Sequence, residues 1–147
     1  MCEEKDIGFQ IRVLSNLIRR DIEKNISEME PRPNGRIHGW AINYFYDNRD
    51  KDIFQKDFEE KFSIRRSTAS NMLKLMEKDG YIKRVSVKND ARLKKIVLTD
   101  KAIKIHTEIC KDIAAREKRL REGLTADELD AFFRVTEKLK KNIEASN

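Results

Sequence analysis

The sequence predicts a mainly α-helical domain with one small β-hairpin, an α+β arrangement in which the hairpin follows directly on a helix with a polar face. Three observations carry that prediction. Apolar residues recur at helical spacing in six separate segments, two short β-branched runs bracket a polar link, and the basic excess is concentrated in one helix and that hairpin. The chain has a net charge of +6; residues 65–95 hold ten Lys or Arg against three Asp or Glu, and the +7 found there leaves −1 for everything else. A surface of that sign gathers a polyanion.

Composition excludes several classes. The 147 residues, 39% of them hydrophobic, make one domain over 1–147 with enough apolar material for a core. The charged fraction, also 39%, exceeds the roughly 25% of an average globular domain and favours long exposed helices. No run approaches the ~18 apolar residues of a membrane span, and Met1-Cys2-Glu3-Glu4 does not open a signal peptide, so the chain is read as cytoplasmic with no membrane partner. With five glycines and no Gly-rich phosphate loop, HExxH, CxxC pair or Gly-x-Ser-x-Gly, the sequence argues against an enzyme, and no cofactor is expected. Cys2 and Cys110 do not make a disulfide framework, and Cys110 falls on an apolar helical stripe where it reads as a small buried residue.

Along the chain, Ile7, Ile11, Leu14, Ile18 and Ile22 define a first helix over 7–26, and Glu30-Pro31-Arg32-Pro33-Asn34-Gly35 then makes a loop. A second helix, about 36–48, carries His38, Trp40, Ala41, Tyr44 and Phe45. A third, about 53–62, spaces Phe54, Phe58 and Phe62 by four and turns one aromatic row inward. Ser63-Ile64-Arg65 forms a turn into a helix running to Lys78. That helix places Ala69, Met72, Leu73 and Met76 on one side, opposite Arg66, Ser67, Ser70, Asn71, Lys74 and Lys78, and Gly80 ends it as a left-handed cap. Arg65 and Arg66 occupy its first turn, where the macrodipole prefers carboxylates and a cation typically loses about 0.3–1 kcal/mol. A partner with phosphates reverses that sign. Residues 81–87 and 96–99 then read as two antiparallel strands joined by a mobile basic link over 88–95. Helix, turn, polar-faced helix and basic hairpin outline a winged helix-turn-helix over 36–99.

Here the sequence resembles the MarR-type transcriptional regulators of bacteria. The resemblance rests on Ile64-Arg65-Arg66-Ser67-Thr68-Ala69-Ser70, on Leu75-Met76-Glu77-Lys78-Asp79-Gly80-Tyr81-Ile82, and on Asp90-Ala91-Arg92 followed, after five intervening residues, by Leu98-Thr99. The last spacing is the family's wing signature; the rest is shared by many winged helices. The family usually places a small hydroxyl residue at the cap of the recognition helix, and here Arg65 stands there. Either Ser63 or Ser67 supplies the capping oxygen from a shifted boundary, or Arg65 is kept for phosphate contact.

A recognition helix reads base edges in the major groove of double-stranded DNA, which makes Arg65, Arg66, Ser67, Thr68, Ser70 and Asn71 candidates for base or nearby phosphate contacts, with Lys74 and Lys78 toward phosphate. The resemblance implies that Arg92 at the wing tip enters the minor groove. Asp90 would orient it, and Lys88, Lys94 and Lys95 would add backbone attraction.

After the wing, Asp100 opens a long helix whose stripe of Ala102, Ile105, Ile109, Ile113 and Leu120 runs to about Glu122, with Gly123 beyond. Thr125 and Glu128 make a capping box for a last helix carrying Leu129, Phe132, Phe133, Thr136, Leu139 and Ile143. The winged lobe does not need all these terminal helices, so 5–30 and 100–147 are read as a homodimerisation region; the alternative is a monomer in which they pack on each other. The resemblance also implies a small, often aromatic ligand between the DNA-binding lobe and the dimer helices, with His38, Trp40 and Tyr44 as candidate lining residues. Some relatives sense oxidants through an N-terminal cysteine, a position Cys2 does not match. His106 and Cys110, four apart on one helix face, have a spacing able to bind one ion, yet two ligands do not make a site, and no metal site is expected. The predicted function is that of a sequence-specific DNA-binding regulator, a ligand-responsive homodimeric repressor on a pseudo-palindromic operator. The rival is a winged-helix interaction module for protein or structured RNA.

Overall fold

A computed structural model describes residues 4–24 and 38–146, apart from the His38 side chain. The loop read at Pro31 to Gly35 and the N-terminal Cys2 lie outside the described residues. The elements run in the order α1 (Ile7–Lys24), α2 (His38–Asp47), α3 (Gln55–Phe62), α4 (Arg66–Lys78), β1 (Ile82–Val87), β2 (Asp90–Leu98), α5 (Asp100–Arg121) and α6 (Ala126–Glu144). This is the mainly helical chain with one antiparallel hairpin that the sequence predicts. Among the described residues no helix is long and apolar enough to cross a membrane. Contacts divide the chain into two units, Met1–Asp112 and Ile113–Asn147, with α5 running through the boundary.

The core of the first unit draws on every element from α2 to α5. Ala41, Ile42 and Phe45 of α2, Phe58 of α3, Ala69, Leu73 and Met76 of α4, Tyr81 and Ile82 at the start of the wing, Ile96 of β2, and Ala102 and Ile109 of α5 are all buried. Phe58 is the hub of an aromatic cluster, its ring centroid 5.4 Å from that of Phe45 and 5.1 Å from that of Phe62. Phe58→Ala would remove a fully buried ring, a class of change that costs about 3–5 kcal/mol.

Two boundaries differ from the sequence reading. The third helix is expected from about residue 53, but Ile53 lies outside it, and its carbonyl accepts from the Ile96 N–H at 2.7 Å, adding a main-chain bond to the edge of β2. Phe54 is the N-terminal cap residue, with φ −114° and ψ 166°, and its N–H donates to the Asp57 carboxylate at 2.8 Å. The second difference is the hairpin link. Only Lys88-Asn89 turn, and residues 90–95, expected as link, belong to β2. Their individual strand propensity is low, but β1 supplies ladder partners for three of them: Val85 opposes Lys95, Ser86 opposes Lys94 and Val87 opposes Asp90.

The start of α1 is bare. Ile22 is buried near its end, whereas Ile7, Ile11, Leu14 and Leu17 are about half exposed. In the second unit, α6 opens on the expected capping box: Thr125 Oγ1 accepts from the Glu128 N–H at 3.1 Å and Glu128 accepts from the Thr125 N–H at 2.8 Å. None of its residues is buried, and Phe132, Phe133, Val135 and Ile143 stand in the open.

Candidate nucleic-acid interface

Helix α4 buries Ala69, Leu73 and Met76, so the opposite face is fixed by helical geometry. Ser67, Asn71, Lys74 and Lys78, spaced by four, three and four, form one exposed row along it. Arg66 and the half-buried Ser70 edge the row on one side; Thr68 and Leu75 edge it on the other. Leu75, 41% exposed, went unassigned in the sequence reading although its offset of four from Asn71 carries it to the same face.

Arg65 is the N-cap of α4, extended at φ −71° and ψ 153°, and no side chain caps the helix there. Neither serine supplies the expected capping oxygen. Ser63 instead terminates α3 in the left-handed region at φ 49°, where the Ile64 N–H reaches the Glu59 carbonyl at 3.1 Å. The helix therefore meets solvent with uncapped N–H groups and two arginines, all favourable to an anion. At its other end Gly80, at φ +79°, closes a Schellman motif: Tyr81 N–H donates to the Met76 carbonyl at 2.9 Å and Gly80 N–H to Glu77 at 3.1 Å.

The wing is tied to that end. Thr99 Oγ1 donates to the Gly80 carbonyl at 2.5 Å, the Thr99 N–H donates to Tyr81 at 3.1 Å, and Lys101 Nζ donates to the Asp79 carbonyl at 2.9 Å. Helix and hairpin are thus held in register by the first turn of α5. At the tip, pairing jumps from Ser86 opposite Lys94 to Val87 opposite Asp90, leaving Ala91, Arg92 and Leu93 without a partner on β1. All three residues of this irregular stretch, Arg92 among them, are exposed. Asp90 Oδ1 accepts from the Arg92 N–H at 2.9 Å, so the carboxylate holds the backbone under Arg92. Lys88 and Lys94 are exposed, whereas Lys95 is half-buried and its ammonium stands 3.4 Å from Asp52.

The three candidate pocket residues are not brought together by the described contacts. Tyr44 lies in the aromatic cluster, its ring 5.6 Å from Phe45 and edge-on to Phe62 at 5.8 Å. Burial first, then the nearby Asp57 and Glu60, pushes its phenol above the usual range. Trp40 is 46% exposed. The His38 side chain lies outside the described residues.

Elsewhere in the unit, His106 Nε2 lies 3.1 Å from Asn43 Oδ1, and the Cys110 thiol donates to the same oxygen at 3.5 Å. Cys110 is half-buried rather than buried. Burial, with Asp47 as the second cause, raises its thiol above the ordinary value, so it is mostly protonated at neutral pH.

Three comparisons with known proteins bear on this arrangement. The profile of the MarR family matches residues 35–93. The HTH-type transcriptional regulator YybA of Bacillus subtilis is 24% identical over 92 residues, 63% of this chain and 61% of its own length; the chain therefore spans about three fifths of that relative. Among solved structures, the heme sensor protein PefR from Streptococcus agalactiae in complex with heme superposes with a TM-score of 0.67 and 28% identity, covering 94% of each chain. The S. aureus MepR–DNA complex superposes with a TM-score of 0.80 at 20% identity, covering 98% of this chain and 100% of that one.

Proposed function

We propose that the chain belongs to the MarR family, whose profile matches residues 35–93, and that it is a cytoplasmic, homodimeric, ligand-responsive repressor that reads a pseudo-palindromic operator in double-stranded DNA. The observation that carries the reading is the exposed row Ser67, Asn71, Lys74 and Lys78 on a helix whose N-terminus is uncapped and flanked by Arg65 and Arg66.

In this reading α4 lies in the major groove. Arg66, Ser67, Thr68, Ser70 and Asn71 face base edges, Leu75 touches a thymine methyl, and Arg65, Lys74 and Lys78 hold phosphates. The irregular stretch carries Arg92 into the minor groove, where a narrow A·T-rich step attracts its guanidinium. Lys88 and Lys94 add backbone attraction, and Lys95 adds less because Asp52 shares its charge. The winged lobe spans 36–99, and the segments 5–30 and 100–147 form the dimer region, whose exposed apolar residues on α1 and α6 find cover in a second copy. Two heads then meet half-sites one helical turn apart. The effector is a small aromatic molecule taken at Trp40 and Tyr44; PefR, a heme sensor, supports a ligand-responsive role for this fold. Trp40 is the sole tryptophan, so binding of a simple phenolic carboxylate is followed by quenching of its fluorescence.

The test is binding of the purified protein to the duplex immediately upstream of its own coding region, against a scrambled duplex of equal length, at about 0.15 M salt. Tight, competitor-resistant binding with two protomers per duplex is expected, falling about 10³–10⁵-fold between 50 and 200 mM salt if roughly 6–10 phosphates are neutralised. Equal weak binding to both duplexes, with no preferred site recovered from a random-sequence pool, would overturn the operator reading in favour of an interaction module.

A further inference from the structure

The side chains that join α2 to the first half of α5 take no part in the proposed reading of DNA, and their geometry is that of a ligand set. Asn43 Oδ1 stands 3.1 Å from His106 Nε2 and 3.5 Å from Cys110 Sγ, and Nε2 and Sγ are 3.3 Å apart. An oxygen, a nitrogen and a sulfur donor thus form a nearly equilateral triangle. Around a tetrahedral zinc ion, with bonds of about 2.0–2.2 Å to N and O and about 2.3 Å to S, the edges of one face come to about 3.4–3.6 Å. The triangle matches that face to within about 0.3 Å on every edge.

The donors are also held from behind. Asn43 Nδ2 donates to the Asp47 carboxylate at 3.4 Å, which turns Oδ1 toward His106 and Cys110 and makes it a better donor. The Tyr46 ring lies flat on the imidazole, 3.6 Å between centroids at 13°, and the Arg49 guanidinium covers Tyr46 at 4.1 Å. The imidazole plane is thereby oriented before any ion arrives. Among the described residues no third His, Cys, Asp or Glu completes the set, which leaves the fourth tetrahedral position to water or an exogenous ligand.

We propose that Asn43, His106 and Cys110 form an open binding site for one divalent cation of the zinc class, which cross-links α2 to α5. Thiolate with imidazole selects a borderline-soft ion over Mg²⁺ or Ca²⁺. Binding replaces the thiol proton, which is released, while the neutral imidazole keeps its proton on Nδ1, so one proton leaves and no electron changes hands. The proposal goes beyond the operator reading and stands whether or not the protein binds DNA.

The experiment is a Co²⁺ titration of the full chain followed by absorption, with Cys2→Ser as background so that only Cys110 offers a thiol. One Co²⁺ per chain is expected, with a thiolate-to-cobalt charge-transfer band in the near ultraviolet and visible bands of tetrahedral intensity, bleached by equimolar Zn²⁺. Cys110→Ser abolishes the charge-transfer band with the circular dichroism unchanged. His106→Gln weakens binding about 100-fold or more, beyond the 10–100-fold of a supporting residue. Asn43→Asp is isosteric and tightens binding by exchanging an amide for a carboxylate; because it also sets a carboxylate against Asp47, its circular dichroism is recorded alongside. No charge-transfer band at saturating Co²⁺, a band that survives Cys110→Ser, or an unchanged affinity in Asn43→Asp would overturn the site.

Discussion

Arg92 and Asp90 show how a single charge can act against its own sign. Asp90 is an acid in the most basic part of the chain, yet its carboxylate accepts the Arg92 N–H and holds the irregular stretch. On the proposed reading of DNA, removing a negative charge from the wing tip tightens binding if charge alone matters; losing the acceptor loosens the backbone under Arg92. The prediction is that Asp90→Ala weakens operator binding, and that Arg92→Ala weakens it by about 1–3 kcal/mol with the thermal midpoint unchanged, since Arg92 is exposed. Titrations of the operator by both variants, with melting curves alongside, check this; tighter binding by Asp90→Ala would sink the positioning role. Arg65 gives a second opposition. Arg65→Ser adds the missing capping hydroxyl, raising stability by about 1 kcal/mol, while removing the proposed phosphate contact and so lowering the salt slope of binding by about one. Denaturant midpoints and salt titrations read the two effects separately.

Among the elements, the turn between α3 and α4 carries the only non-glycine residue at positive φ among the described residues, Ser63 at 49°. A residue with a Cβ held there costs about 1–2 kcal/mol, part of which glycine recovers. Ser63→Gly is expected to raise stability by roughly 0.5–1 kcal/mol, measured by urea unfolding, because Ser63 makes no side-chain cap for α4. The periodicity of α4 made its buried face legible: Ala69, Leu73 and Met76 lie inward as their spacing predicts, and Met72 lies at the edge. The limits of α3 and β2 were not legible, because they depend on partners distant in sequence. Ile53 leaves the expected helix to bond Ile96, and Asp90, Lys94 and Lys95 join the strand because β1 offers them ladder partners. Local propensity yields where a tertiary hydrogen bond is available.

At the scale of the whole molecule, the uncovered apolar residues of α1 and α6 set an expectation of assembly. A second copy covering them would remove apolar area from water at about 25 cal/mol per Å². Light scattering at micromolar concentration is expected to give twice the 17.4 kDa chain mass. The double variant Ile11→Glu with Leu14→Glu, both residues about half exposed in the single chain, is expected to give one chain mass and weaker operator binding with the helical content retained. A dimer that survives the double substitution would move the interface off α1.

The sequence by itself determined the number and kind of elements, the winged outline and the concentration of basic charge between 65 and 95, because periodicity, capping and charge are properties of residues close together along the chain. It also put His106 and Cys110 on one helical face. Only the tertiary structure decided that Asn43, 63 residues before His106, turns its oxygen between them, that Asp52 shares the charge of Lys95, and that the wing ladder breaks at Arg92. These are distances between segments far apart in the chain, set by how helices and strands pack rather than by any residue's own preference.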